Sequence, residues 1–144
     1  MIYLDTSVLL VYTLTESLEL ERAKSVRRLF VKIDSGVVSA ATSFYALHEV
    51  YVFALENVPD LDTGSQFGKA ALQKILEARL RILPFVTRTE RRRLAERFFD
   101  LKDSTDVPHA ISAYAAGCDA IVAYDEHFRA IDSVIPYRTP ANYR

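Results

Sequence analysis

The sequence predicts an α/β fold built on a central, mostly parallel sheet with helices on both faces. Two observations lead there. Short apolar runs of strand length (Ile2–Leu4, Val37–Ala40, Ile82–Phe85 and Ala120–Ala123) alternate with longer segments of helical periodicity. Apart from Ser39, those runs are apolar rather than alternating, as in parallel strands buried on both faces.

Each element follows in chain order. Ile2–Leu4 is the first strand, and Thr6 and Ser7 then offer N-cap oxygens to a helix carrying Val8, Leu9 and Leu10. From Ser17 to Ile33 the spacing is helical. Leu18, Ala23, Val26, Leu29, Phe30 and Ile33 share one face, and Glu19, Arg22, Arg27 and Arg28 face water. Asp34-Ser35-Gly36 ends it, and Val37–Ala40 is the second strand. Thr42 or Ser43 caps a helix running to about Glu56, and Asn57–Ser65 is a loop before a helix over Gln66–Arg79. The third strand, Ile82–Phe85, precedes a helix over Thr89–Leu101 with Thr89 as N-cap. Asp106 opens a helix to about Ala116, Gly117 breaks it, and Ala120–Ala123 is the fourth strand. A short helix from Asp125 to Arg129 and a last strand at Val134–Ile135 complete a single domain over residues 1–144.

Composition narrows the function classes. Half the residues are hydrophobic and 26% are charged, which is ordinary for a globular chain. No segment is apolar enough over sufficient length to span a membrane, and no signal-peptide pattern opens the chain, so a cytoplasmic protein is expected. Cys118 is the single cysteine, which excludes an internal disulfide and argues against a Cys-based zinc site. The net charge of -1 gives no global attraction to polyanions, so a patch or a bound cation must supply any.

Ligands of open α/β sheets bind beyond the carboxyl ends of the strands, and three acids fall there. Asp5 ends the first strand, Asp125 lies just past "AIVAY", and Asp106 opens the helix leading to that strand. Each alone is compatible with helix capping. Glu49 is different. It stands in "FYALHEVYVFAL", where only His48 and Glu49 are clearly polar, and a buried carboxylate is costly unless paired or bound to metal. His48 reads as a hydrogen-bonded, partly buried side chain. Four acids in one cleft repel unless a cation neutralises them. An all-oxygen set favours Mg²⁺ or Mn²⁺, whose chemistry suits phosphodiester cleavage.

The ordered stretches "YLDTSVLL", "TSFYALHEVY" and "DSTDVPHAISAYAAGCDAIVAYDEHF" resemble those of the PIN-domain ribonucleases, in particular the VapC-type toxins of toxin–antitoxin pairs. The resemblance covers nearly the whole chain. It implies a three-layer α/β/α, Rossmann-like sheet, Mg²⁺ or Mn²⁺ as cofactor, endonucleolytic cleavage of RNA, a homodimer, and a cognate antitoxin that wraps the toxin and blocks its site. It matches Asp5, Glu49, Asp106 and Asp125 to the family's catalytic and metal-binding acids, and Thr6 to a hydroxyl supporting the first of them. Asp103 competes with Asp106 for the third place. Asp106 is preferred because "VPHAISAYA" follows it directly and Pro108 suits a first helical turn. One departure stands out: the family usually carries Thr or Ser two residues before the last acid, and this chain has Ala123.

Arg88, Arg91, Arg92 and Arg93 are dense after the third strand. They are candidate RNA-phosphate contacts, or simply a solvated helix face interspersed with Glu90 and Glu96. The alternative to a nuclease is a catalytically weak or inactive PIN-fold module that binds RNA or protein, and Ala123 is the feature in its favour. An aspartyl phosphatase fits poorly, because "DTS" puts Ser7 where a second acid is needed.

Overall fold

The computed structural model describes residues 1–144, and its five strands form one parallel sheet in the order β3-β2-β1-β4-β5. β1 (Ile2–Leu4) is central, with β2 (Ala40–Ser43) and β3 (Leu80–Leu83) on one side and β4 (Ala120–Val122) and β5 (Tyr137–Arg138) on the other. Ile2 is in register with both Ala40 and Ala120, so the winding reverses at β1. The crevice between β1 and β4 is the topological switch point of the sheet.

Strand alternation divides the core into two faces. Ile2, Leu4, Ala40, Ala120 and Val122 point to one side, where α1 (Thr6–Thr13), α2 (Leu20–Asp34), α3 (Phe44–Glu56) and α4 (Leu61–Glu77) cover them. Tyr3, Ala41, Ile121 and Ala123 point to the other, under α5 (Arg88–Leu94) and α6 (Val107–Ala115). The result is the expected three-layer α/β/α arrangement. Each fully buried aliphatic side chain, such as Leu9 or Ile121, contributes roughly 1.5–3 kcal/mol.

Several boundaries differ from the sequence reading, each for a local reason. β2 begins at Ala40 rather than Val37 because residues 37–39 close the end of α2. Gly36 takes a φ of 78°, the Val38 amide donates to the Lys32 carbonyl, and Val37 is exposed. Leu18 is likewise exposed, since α2 begins only at Leu20. α4 starts inside the expected loop, capped by Asp60, which accepts from the Thr63 amide and hydroxyl. Its Gly68 permits close approach to α3, because a Cβ there would meet the Tyr51 ring at 2.6 Å. β3 stops at Leu83, before Pro84, which has no amide to donate. Thr87 rather than Thr89 caps α5, in a reciprocal capping box with Glu90, and a 3-10 turn over Ala95–Phe98 replaces the end of the expected helix. The last strand is Tyr137–Arg138, because the Val134 and Ile135 amides fold back onto the Ile131 carbonyl. No helix is long and apolar enough to cross a membrane.

Candidate active site

Asp5 leaves β1 at the switch point and caps α1, displacing Thr6 and Ser7 from that role. Its Oδ2 accepts from the Ser7 amide at 3.0 Å and the Ser7 hydroxyl at 2.6 Å. Ser7 Oγ also accepts from the Tyr124 amide at 2.9 Å, which ties the end of β1 to the chain leaving β4. Asp125 caps the 3-10 helix Glu126–Ile131 by accepting from the His127 amide at 2.9 Å. Capping therefore engages Oδ2 of Asp5 and Oδ1 of Asp125, and no hydrogen bond engages the other oxygen of either acid.

Glu49 reaches the same edge from α3, on the opposite helical layer from α6. It is half-buried rather than enclosed, because α3 opens onto a groove lined by Thr6, Leu10, His48, Val52 and Glu56. His48 is correspondingly exposed, against the expectation of a partly buried side chain. Glu49 Oε2 accepts from the Thr6 hydroxyl at 2.6 Å, so Thr6 supports Glu49 rather than Asp5. Glu49 Oε1 lies 2.8 Å from His109 Nε2. His109 is buried on α6, with Nδ1 2.7 Å from the Tyr3 hydroxyl and 3.8 Å from Asp5 Oδ1. The Tyr3 hydroxyl in turn lies 2.6 Å from Ser43 Oγ, the N-cap of α3.

The electrostatics of this chain are consistent. Burial pushes the His109 pKa down, but the hydrogen bond to Glu49 and the charges of Asp5 and Glu49 outweigh it and hold it above the ordinary histidine value. Burial pushes Glu49 up, and the His109 and Thr6 hydrogen bonds reverse this to hold it below its ordinary value. Asp5 is pushed up, chiefly by burial, with His109 and Ser7 opposing. A protonated His109 donates from Nε2 to Glu49 and from Nδ1 to the Tyr3 oxygen, leaving the Tyr3 proton for Ser43.

Asp106 is the anomaly. It occupies the N-cap of α6 but makes no capping bond, and its buried Oδ2 has no hydrogen-bond partner. Burial, then the charges of Asp125, Asp5 and Asp103, push its carboxyl up to about 6. An orphaned carboxylate oxygen among like charges is costly in a closed fold and is what a cation site requires. The donors Asp5, Glu49, Asp106 and Asp125 therefore fit a hard divalent ion. Asp103, the competitor for the third position, is exposed and folded onto Thr105, although it approaches Asp106 and His127.

The structure thus brings Asp5, Glu49, Asp106 and Asp125 to one edge of the sheet. Arg88, Arg91, Arg92 and Arg93 are exposed on α5, which follows the carboxyl end of β3 at that same edge. Ala123 is fully buried on the α6 face and offers no hydroxyl to the site. His109 and Tyr3 escaped the sequence reading, and Ser7 entered it as an N-cap candidate rather than as the partner of Asp5. The one local signal for His109 was its place three residues after Asp106, on the same side of a helix.

Residues 2–134 match the model of the PIN domain family, and the chain belongs to that family. Among solved structures it resembles VapC20 of Mycobacterium tuberculosis, described as a sarcin-ricin loop cleaving toxin. That likeness has 17% identity and a TM-score of 0.67, over 90% of this chain and 94% of the other. It also resembles VapBC2 from Rickettsia felis, bound to a DNA fragment from their promoter. There the identity is 17% and the TM-score 0.67, over 96% of this chain and 98% of the other. No curated protein matches the chain. The VapC-like fold expected from the three ordered stretches is the one observed.

Proposed function

We propose that the protein is a metal-dependent endoribonuclease, the toxin component of a VapBC-like toxin–antitoxin pair, which hydrolyses RNA phosphodiester bonds. The observation that carries this reading is the unpartnered Asp106 Oδ2 among four convergent acids at the switch point of a PIN fold. Asp5, Glu49, Asp106 and Asp125 would hold Mg²⁺ or Mn²⁺, which when bound supplies charge neutralisation for the phosphodiester and acidity for a water.

The chain's own residues set the geometry. Glu49, kept ionised by His109 and Thr6, orients the attacking water. Ser7 fixes the Asp5 carboxylate through Oδ2, leaving Oδ1 without a hydrogen bond. Arg88, Arg91, Arg92 and Arg93 hold the RNA backbone by bidentate contacts to phosphate. The toxin cleaving the sarcin-ricin loop and the VapBC2 complex, both of similar fold, support RNA as substrate and an antitoxin protein as partner. A homodimer belongs to the same reading.

Inducible expression in a bacterial host, with sequencing of RNA 5′ ends, tests the reading. New 5′ ends and arrested growth are expected from the wild type and neither from Asp5→Asn, whose amide oxygen still caps α1. Ala123 favours a second reading, a PIN module that binds RNA without cutting, and RNA capture with no new ends would support it.

A further inference from the structure

Resting on the metal-dependent reading above, we propose that His127 is a metal ligand. With Asp103 and Asp106 it forms a mixed oxygen–nitrogen site at the outer end of the carboxylate cleft that selects Mn²⁺ over Mg²⁺. One donor atom from each of the three residues lies within 4.8 Å of the others. His127 Nδ1 stands 3.6 Å from Asp106 Oδ2 and 3.2 Å from Asp125 Oδ1, with a hydrogen bond to neither. Six-coordinate donors at about 2.1 Å from an ion stand roughly 3 Å apart when adjacent and roughly 4 Å apart when opposite. The 3.6 Å between Asp106 Oδ2 and His127 Nδ1 falls within that range.

The second observation is Asp106 itself. The residue is only 8% exposed, and its Oδ2 is the one buried side-chain oxygen without a partner. That atom faces the His127 imidazole at 3.6 Å, beyond hydrogen-bond distance. Asp125 backs the arrangement by accepting from the His127 amide, which fixes where the side chain departs. His127 and Asp103 are both exposed, so the remaining coordination positions open to water and to a phosphate. Imidazole is a poor ligand for Mg²⁺ and a good one for first-row transition ions, so a nitrogen in this set moves preference towards Mn²⁺.

The test needs no RNA. The purified chain, stripped with EDTA and dialysed, is titrated with Mn²⁺ and with Mg²⁺ as competitor, and bound Mn²⁺ is examined by pulsed EPR. The wild type is expected to show nitrogen hyperfine coupling on Mn²⁺. In His127→Ala the coupling disappears and Mn²⁺ affinity falls by about tenfold or more, within the range for groups that tune a metal site, while Mg²⁺ affinity changes little. Bound Mn²⁺ without nitrogen coupling, or coupling that persists in His127→Ala, would overturn the proposal. If that binding is still abolished in Asp106→Asn, the carboxylate reading survives alone. A wild type that binds neither ion overturns both.

Discussion

Glu49 Oε1 and His109 Nε2 meet at 2.8 Å, although the two residues are 60 positions apart and belong to helices on opposite faces of the sheet. The contact clasps α3 to α6 across the carboxyl edge. Beyond it, His109 is held by Tyr3, and Tyr3 by Ser43, so the orientation of one acid is fixed from the centre of the core.

Removing the clasp should therefore cost both stability and activity. His109→Ala removes one of the two partners of the Tyr3 hydroxyl and the only one of Glu49 Oε1, and is expected to lower unfolding free energy by roughly 1–3 kcal/mol in urea titrations. RNA cleavage should fall by about 10–100-fold, as for groups that orient metal ligands. His109→Gln, which restores a donor to Glu49, should recover part of the activity.

Asp106 makes a pH prediction. Its carboxyl is raised from an ordinary 3.8 to about 6, so the folded state holds the proton more tightly than the unfolded chain does. The stability this confers is complete below the ordinary carboxylate range and is lost as pH rises to about 6. Metal-free Asp106→Asn should thus be more stable than the wild type at pH 8, by on the order of 1–2 kcal/mol, and should gain nothing at pH 4. Thermal unfolding at the two pH values checks this.

A divalent ion should relieve the same strain in the wild type. At one hundred times its dissociation constant, Mg²⁺ is expected to add about 2.7 kcal/mol of stability. The gain should disappear in Asp106→Asn and shrink in Asp5→Asn, which differential scanning calorimetry with and without EDTA will read.

The arginines of α5 form no salt bridge, which leaves them available to phosphate. Replacing Arg91, Arg92 and Arg93 by Ala should weaken RNA binding. It should also flatten the salt dependence by about 0.7 in log–log slope for each single-strand phosphate that these side chains neutralise. An unchanged slope would return these residues to the role of a solvated helix face.

Much of this site was legible in the sequence because strand ends announce themselves. Asp5 and Asp125 follow short apolar runs, and Glu49 interrupts a helix with few other polar positions. What escaped was non-local. Nothing near His109 in the chain reveals Glu49, Tyr3 or Ser43 as its neighbours, because the sheet order brings them together. The assignment of Thr6 to Asp5 failed for a similar reason: its hydroxyl turns to α3, while Ser7, two residues past Asp5, makes the local turn bond. The strand limits at Val37 and Val134 were set instead by turn hydrogen bonds that apolar patterning does not encode.

The most direct measurement is cleavage of a mixed RNA panel by the purified protein in Mg²⁺, in Mn²⁺ and in EDTA, beside Asp5→Asn. Cutting that requires metal and vanishes in the variant is the predicted result, and would make the Asp5 crevice the seat of a nuclease. Cleavage that survives EDTA, or that proceeds at the wild-type rate in Asp5→Asn, would contradict it.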